Sequence, residues 1–114
     1  MTVKELAGLI NAKVLTDELE NDPVIKCGYT CDLLSWVMAH GEEGMAWVTV
    51  QTHMNVIAVA VLAEMACVVY PENIQIEEAC LNKAISEGLH VLKSPLTAYE
   101  ICGILYSAGI KAHG

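Results

Sequence analysis

The sequence predicts an α/β fold: a single compact domain with a largely parallel sheet covered by helices. Three observations predict it. Short β-branched or apolar runs alternate with helix-length segments along the 114 residues, the pattern of repeated strand, crossover and strand. Two central runs, Met45 to Val50 and Ala66 to Tyr70, are almost continuously apolar, as strands buried on both faces of a parallel sheet must be. The crossovers are about three turns long, which suits helices joining parallel neighbours.

Thr2 and Glu5 have capping-box spacing and open an amphipathic helix with Leu6, Leu9 and Ile10 apolar, ending near Asn11. Lys13 to Thr16 is a short strand, expected with the first helix at a partly separate edge. Asp17 to Pro23 is polar and charged, a surface loop and the expected seat of mobility. Val24 to Tyr29 is the next strand, followed by a helix over Asp32 to Ala39, N-capped by Thr30 or Asp32 and stopped by the glycines of the segment His40 to Gly44. The strand Met45 to Val50 leads to a helix over Asn55 to Met65, the strand Ala66 to Tyr70 and a turn at Pro71. Ile76 to Glu87 is a helix with Gly88 at its carboxyl end, and Leu89 to Leu92 is a last short strand. Thr97 and Glu100 repeat the capping-box spacing and open a helix that runs to Ser107. Residues 1–114 are expected to form one domain, with no repeat, low-complexity tract or linker.

Composition narrows the function. The chain is 54% hydrophobic with a mean hydropathy of +0.44, high for a small domain with much surface to cover. The surplus predicts a subunit interface, and so a homodimer. Fourteen acidic residues against six basic ones give a net charge of −8, which opposes nucleic-acid binding. Every basic residue is a lysine, so a phosphate would have to be held by helix N-termini, backbone amides or lysine rather than by a guanidinium fork. The segment Met1 to Leu6 has no signal-peptide core, and no stretch offers the roughly 20 apolar residues of a membrane span. A cytoplasmic protein that does not insert in a membrane is expected. Five cysteines without CxxC spacing fit reduced thiols in that compartment.

Ligands of parallel sheets sit beyond the carboxyl ends of the strands, where helix N-termini present free amides. Three turns should reach that edge. They carry Thr30, Asp32 and Ser35; Gln51, Thr52, His53 and Asn55; and Ser94 and Thr97. Together they make a donor-rich rim suited to a small anionic metabolite or the polar parts of a nucleotide. The same residue types are the best helix caps, so each also reads as a cap. His53 is the candidate proton carrier or hydrogen-bond switch, with Asp32 as a partner across the edge. Cys27 and Cys31 could join His53 as thiol ligands or a nucleophile, but their spacing matches no structural zinc site and no metal is predicted. Cys67, Cys80 and Cys102 lie among apolar neighbours, as core residues do. Trp36 and Trp47 read as packing or interface anchors, and Glu77, Glu78 and Glu87 as a solvated face. No phosphate loop and no dinucleotide fingerprint is present, so no cofactor and no catalytic set is predicted.

The segments Gly28 to Ser35 and Trp47 to Ala58, with Gly109 and Ile110, resemble the stand-alone DRTGG-domain proteins, across nearly the whole chain. These are similar to the amino-terminal domain of HPr kinase/phosphorylase and sometimes carry a serine-kinase-like label. The resemblance implies the DRTGG fold, a regulatory role and a dimer, since in regulatory pyrophosphatases such a domain lies between paired CBS domains. Some stand-alone members accompany iron hydrogenase or other redox genes, which implies a redox partner. Where the family's motif falls, this chain has Gln51 to Asn55 and no arginine. The kinase label does not transfer, because kinase activity belongs to a separate phosphate-loop domain.

These readings converge on a noncatalytic regulatory module, sensing a small anionic metabolite or nucleotide or binding a protein partner. Two alternatives stand beside it: a small transferase or hydrolase using Asp32, His53 or Cys31, and a scaffold of a redox, hydrogenase-associated complex using Trp36 or Trp47.

Overall fold

A computed structural model describes residues 1–114. In chain order the elements are α1 (Val3–Leu9), β1 (Lys13–Val14), β2 (Cys27–Thr30), α2 (Leu34–His40), β3 (Met45–Val48), α3 (Asn55–Leu62), β4 (Cys67–Tyr70), α4 (Glu78–Ser86), β5 (His90–Lys93) and α5 (Ala98–Ser107). They build one sheet in the order β1-β5-β4-β3-β2. Strands β2 to β5 are parallel, and only β1 runs antiparallel, against β5. The predicted α/β class therefore holds.

The helices divide between the two faces. The crossovers α2, α3 and α4 step across the sheet one strand at a time. They pack Val37, Val56, Val59, Ala60 and Ala84 against Trp47, Val68, Tyr70 and Val91. On the other face, α1 and α5 bring Leu6, Ile10, Ile101 and Leu105 against Ala46, Val48, Cys67, Val69 and Leu92. Successive residues of a strand point to opposite faces, so β3 and β4 are buried at every position and need the continuous apolar runs that the sequence has. Trp47 is fully buried, and its indole N–H donates to the Cys31 carbonyl at 2.8 Å, which removes the cost of burying that donor.

Both predicted capping boxes form. Thr2 and Glu5 cap α1, and Thr97 and Glu100 cap α5, each with reciprocal bonds between side chain and backbone. Gly44 turns the chain into β3 at φ +76°, and a Cβ there would come within 2.8 Å of the Lys26 side chain, so both strain and space demand glycine.

Several boundaries differ from the sequence reading, each for a tertiary reason. The α2 helix starts at Leu34 with Leu33 at the cap and no side-chain cap bond, so neither Thr30 nor Asp32 is its N-cap. Thr30 still belongs to β2 and donates its hydroxyl to the Val48 carbonyl at 2.9 Å, while the Asp32 carboxylate turns toward the β3–α3 connection. Strand β2 begins at Cys27 rather than Val24, which makes only an isolated bridge with Thr2. Strand β1 is two residues long, and β3 and α3 end at Val48 and Leu62.

The loop over residues 17–23, expected to be the mobile segment, is tied at several points. Asn21 accepts from His90 Nε2 at 2.7 Å and donates through its amide to the Gly88 carbonyl. Asp22 Oδ1 accepts from the Lys4 amide at 2.9 Å, and the Pro23 carbonyl accepts from Val3. These bonds are invisible to local sequence because their partners are far along the chain.

Candidate functional site

The connections that follow β2 and β3 meet at the carboxyl rim of the sheet. Asp32, two residues before α2 begins, reaches across to the neighbouring connection. Its Oδ1 accepts from the Thr49 hydroxyl at 2.7 Å and from the Val50 amide at 2.9 Å. Thr49 is buried and its oxygen also accepts from the Gln51 amide at 3.1 Å. Gln51 Oε1 accepts from the His53 amide, and His53 Nδ1 accepts from the Asn55 amide at 3.0 Å. One relay thus links the Asp32 carboxylate, the Thr49 hydroxyl, Gln51 and the His53 backbone amide, and the Asn55 amide fixes the His53 imidazole beside it.

The relay has chemical consequences. A ring nitrogen that accepts from a backbone N–H carries no proton, so neutral His53 holds its hydrogen on Nε2. His53 is exposed, and Nε2–H is a donor available to solvent or ligand. Asp32 is exposed as well, and both of its protein bonds fall on Oδ1. The free oxygen is an acceptor suited to hydroxyl or amino groups. Beside the relay, an open cleft of about 350 Å³ is lined by Gln51, Thr52, His53, Met54, Glu77 and Cys80. Among these Cys80 is buried, its thiol directed at the Thr52 carbonyl at 3.6 Å.

The other candidates separate from this group. Ser94 is fully buried: its hydroxyl donates to the Ile10 carbonyl at 2.7 Å and accepts from the Leu96 amide. Thr97 spends its hydroxyl in the α5 capping box. Thr30 is bonded to Val48, and Ser35 is exposed in the first turn of α2 without a hydrogen bond to another residue. Gln51, His53 and Asn55 are therefore joined by hydrogen bonds, with Thr52 in the same turn, and Asp32 reaches them through Thr49. Thr49, Glu77 and Cys80 were not among the sequence candidates. A threonine near the end of the apolar run Met45 to Val50 was the available signal for the first.

Most thiols hold their protons. Burial pushes Cys67 up to about 12, and burial raises Cys27, Cys80 and Cys102 as well, with the Glu77 and Glu42 charges adding to the rise at Cys80 and Cys27 respectively. Cys31 is half-buried, with its Sγ 4.0 Å from the Leu33 carbonyl. No group of three or more His, Cys, Asp or Glu side chains is placed to hold a metal ion. No helix is long and apolar enough to cross a membrane.

No protein-family model matches the chain, and no curated protein matches it in sequence. Among solved structures, it is similar to the CBS and DRTGG domains of the regulatory region of Clostridium perfringens pyrophosphatase, crystallised with the activator diadenosine tetraphosphate. The TM-score is 0.70 at 7% identity, over 91% of this chain and 45% of that one. The chain thus spans less than half the length of that structure. At this identity the likeness concerns the fold alone.

Proposed function

We propose that the chain is a noncatalytic regulatory module that binds a small anionic metabolite or nucleotide at the carboxyl rim. The observation that carries the reading is the Asp32–Thr49–Gln51–His53 relay: it is anchored at the buried Thr49 and presents an outward acceptor on Asp32 and an outward Nε2–H donor on His53. Such a rim can recognise the hydroxyl and amino groups of a nucleoside. It has no activated nucleophile, which favours binding over turnover. The likeness to a regulatory region crystallised with a nucleotide activator supports the same reading. On it, residues 1–114 form one DRTGG-like domain, akin to the amino-terminal domain of HPr kinase/phosphorylase and working in the cytoplasm.

A protein partner is the second reading, favoured by a different observation. Leu33, Trp36 and Met38 are 62%, 53% and 58% exposed at the start of and within α2, and Leu62 is 74% exposed at the end of α3. Exposed large apolar side chains of this kind mark interaction surfaces. A homodimer, or docking to a redox protein, would cover them.

Thermal unfolding against a panel of adenine and guanine nucleotides, dinucleotides and phosphates tests the first reading. A ligand at 100 times its dissociation constant adds about 2.7 kcal/mol, a plain rise in Tm for a domain of this size. The rise should vanish in Gln51→Ala and His53→Ala. No rise with any compound overturns the ligand reading, and sedimentation and pull-down then test the partner reading.

A further inference from the structure

The rim relay offers acceptors and one imidazole, but no permanent positive charge for an anion. That charge lies two strands away. Of the six lysines, Lys26 pairs with Glu43, Lys83 with Glu87, Lys111 lies over the Tyr106 ring, and Lys4 lies in the field of Asp22. The remaining two, Lys13 and Lys93, are register partners on β1 and β5. Residues directly opposite in an antiparallel pair point to the same face with Cβ atoms about 5 Å apart, and like charges so placed repel. None of the ion pairs in the structure involves either lysine, although the chain carries 14 carboxylates. Two facing cations without an ion-pair partner concentrate positive charge at one point of an acidic chain.

Topology puts this pair where parallel sheets bind ligands. Strands β2, β3 and β4 each send their helix to one face, whereas β5 sends α5 to the other. The connections after β4 and β5 therefore diverge, which is the switch point of this fold. Lys93 is the last residue of β5. It alternates with Val91 and so shares the face of Val91, Tyr70 and α4. The diverging connection is itself unusual: Glu72 and Asn73 both adopt left-handed backbone conformations, at φ 58° and 53°. They are held there by amide bonds to the Leu96 and Ser94 carbonyls. Non-glycine residues kept in that region mark places the fold over-determines, often beside a ligand. These bonds tie the two connections together. The amides of Gln75, Ile76 and Glu77 make no backbone or side-chain bond within the protein and lie on the connection that leads to α4.

The geometry points to Lys13 and Lys93 as a phosphoryl-binding site at the β4/β5 switch point. Lysines act there as point charges, in keeping with a chain that has no arginine. The assignment deepens the reading of the rim as a ligand site and rests on it. In a nucleotide, the phosphates would lie at Lys13 and Lys93 and the nucleoside toward Asp32 and His53. From β3 to β5 is two strand spacings, about 10 Å, within the reach of a nucleoside polyphosphate.

The test is a titration of the isotopically labelled full chain with inorganic pyrophosphate and, separately, with ATP, followed by amide chemical shifts. The expected result is saturable shifts at residues 12–14, 73–76 and 92–95 with both probes. The double variant Lys13→Gln/Lys93→Gln should weaken binding about tenfold or more, the loss expected when charged hydrogen bonds are removed, while Lys83→Gln leaves it unchanged. The double variant should fold, because it removes a like-charge contact, and a higher Tm without ligand would report that relief. Pyrophosphate as tight as ATP identifies a free phosphoryl anion; tighter ATP, weakened by His53→Ala, identifies a nucleotide. ATP shifts confined to residues 51–55 would overturn the lysine site and leave the rim reading standing. Equal weakening by Lys83→Gln would show diffuse charge attraction and overturn the site. No shift with either probe overturns both.

Discussion

Two networks in this domain are made of the same parts and end differently. In one, His90 on β5 is fully buried: its Nδ1 meets the Thr16 hydroxyl at 2.9 Å and its Nε2 meets the Asn21 carbonyl at 2.7 Å. Thr16 also accepts from the Val91 amide, so its hydroxyl proton goes to Nδ1 and the ring carries its own proton on Nε2. In the other, the His53 ring at the rim bonds to the protein through Nδ1 alone. Each network links a threonine, a histidine and backbone groups. The buried one has no hydrogen-bonding capacity left over and serves to hold the β1–β2 loop to the sheet. The rim network keeps a donor and a carboxylate oxygen facing outward. What distinguishes a fastening from a binding site here is unspent hydrogen-bonding capacity, not residue type.

Breaking the closed network should have the largest effect. His90→Ala removes a packed ring and strands the Thr16 hydroxyl and the Asn21 carbonyl, a loss of about 3 kcal/mol from cavity and unsatisfied polar groups together. Chemical denaturation measures it, and a loss below about 1 kcal/mol would mean that the buried network is not the fastening described. Asp32→Ala tests the carboxylate end of the open network. It removes two charge-assisted bonds at a solvated position, with an expected cost of about 1 kcal/mol together with loss of ligand-induced stabilisation. His53→Ala should change stability by less than about 0.5 kcal/mol yet abolish the ligand-dependent rise in Tm. A large stability loss there would erase the contrast between the two histidines.

The smallest effect concerns the loop that the closed network holds. The Lys4 amide bonded to Asp22 keeps that carboxyl below its ordinary value of 3.8. A carboxylate whose folded value is depressed stabilises the protein above its unfolded value, and that contribution is lost as pH falls through the folded one. Wild-type protein should therefore lose stability on acidification below about 3.8 in part through Asp22. Asp22→Asn should lack that component, so it should be slightly less stable than wild type near neutrality and converge with it as the pH falls below the folded value. Identical acid limbs for the two proteins would remove Asp22 as a tether of the loop.

The two histidines also show where sequence reasoning stops. His53 was legible as a site candidate because it lies in a polar cluster between an apolar strand and an apolar helix. His90 was passed over, since its neighbours Leu89 and Val91 look like any strand, and its partner Thr16 is 74 residues away. Ser94 was nominated for the rim by its position after β5, but its hydroxyl is enclosed and bonded to Ile10. Thr30 and Asp32 were assigned to a helix cap by their chemistry, yet Asp32 found better donors across the sheet, in Thr49 and Val50.

By itself, the sequence determined the order of strands and helices, the two capping boxes, the doubly buried central strands and the general place of the rim. All of these follow from interactions between residues a few positions apart, or from the periodicity of burial along one element. Only the tertiary structure decided the strand order, the closing of the His90 network, the relay from Asp32 to His53 and the facing of Lys13 and Lys93. Those depend on which strands pair and in what register. Pairing is fixed by packing summed over the whole sheet, and a one-residue slip would turn every side chain of a strand to its other face.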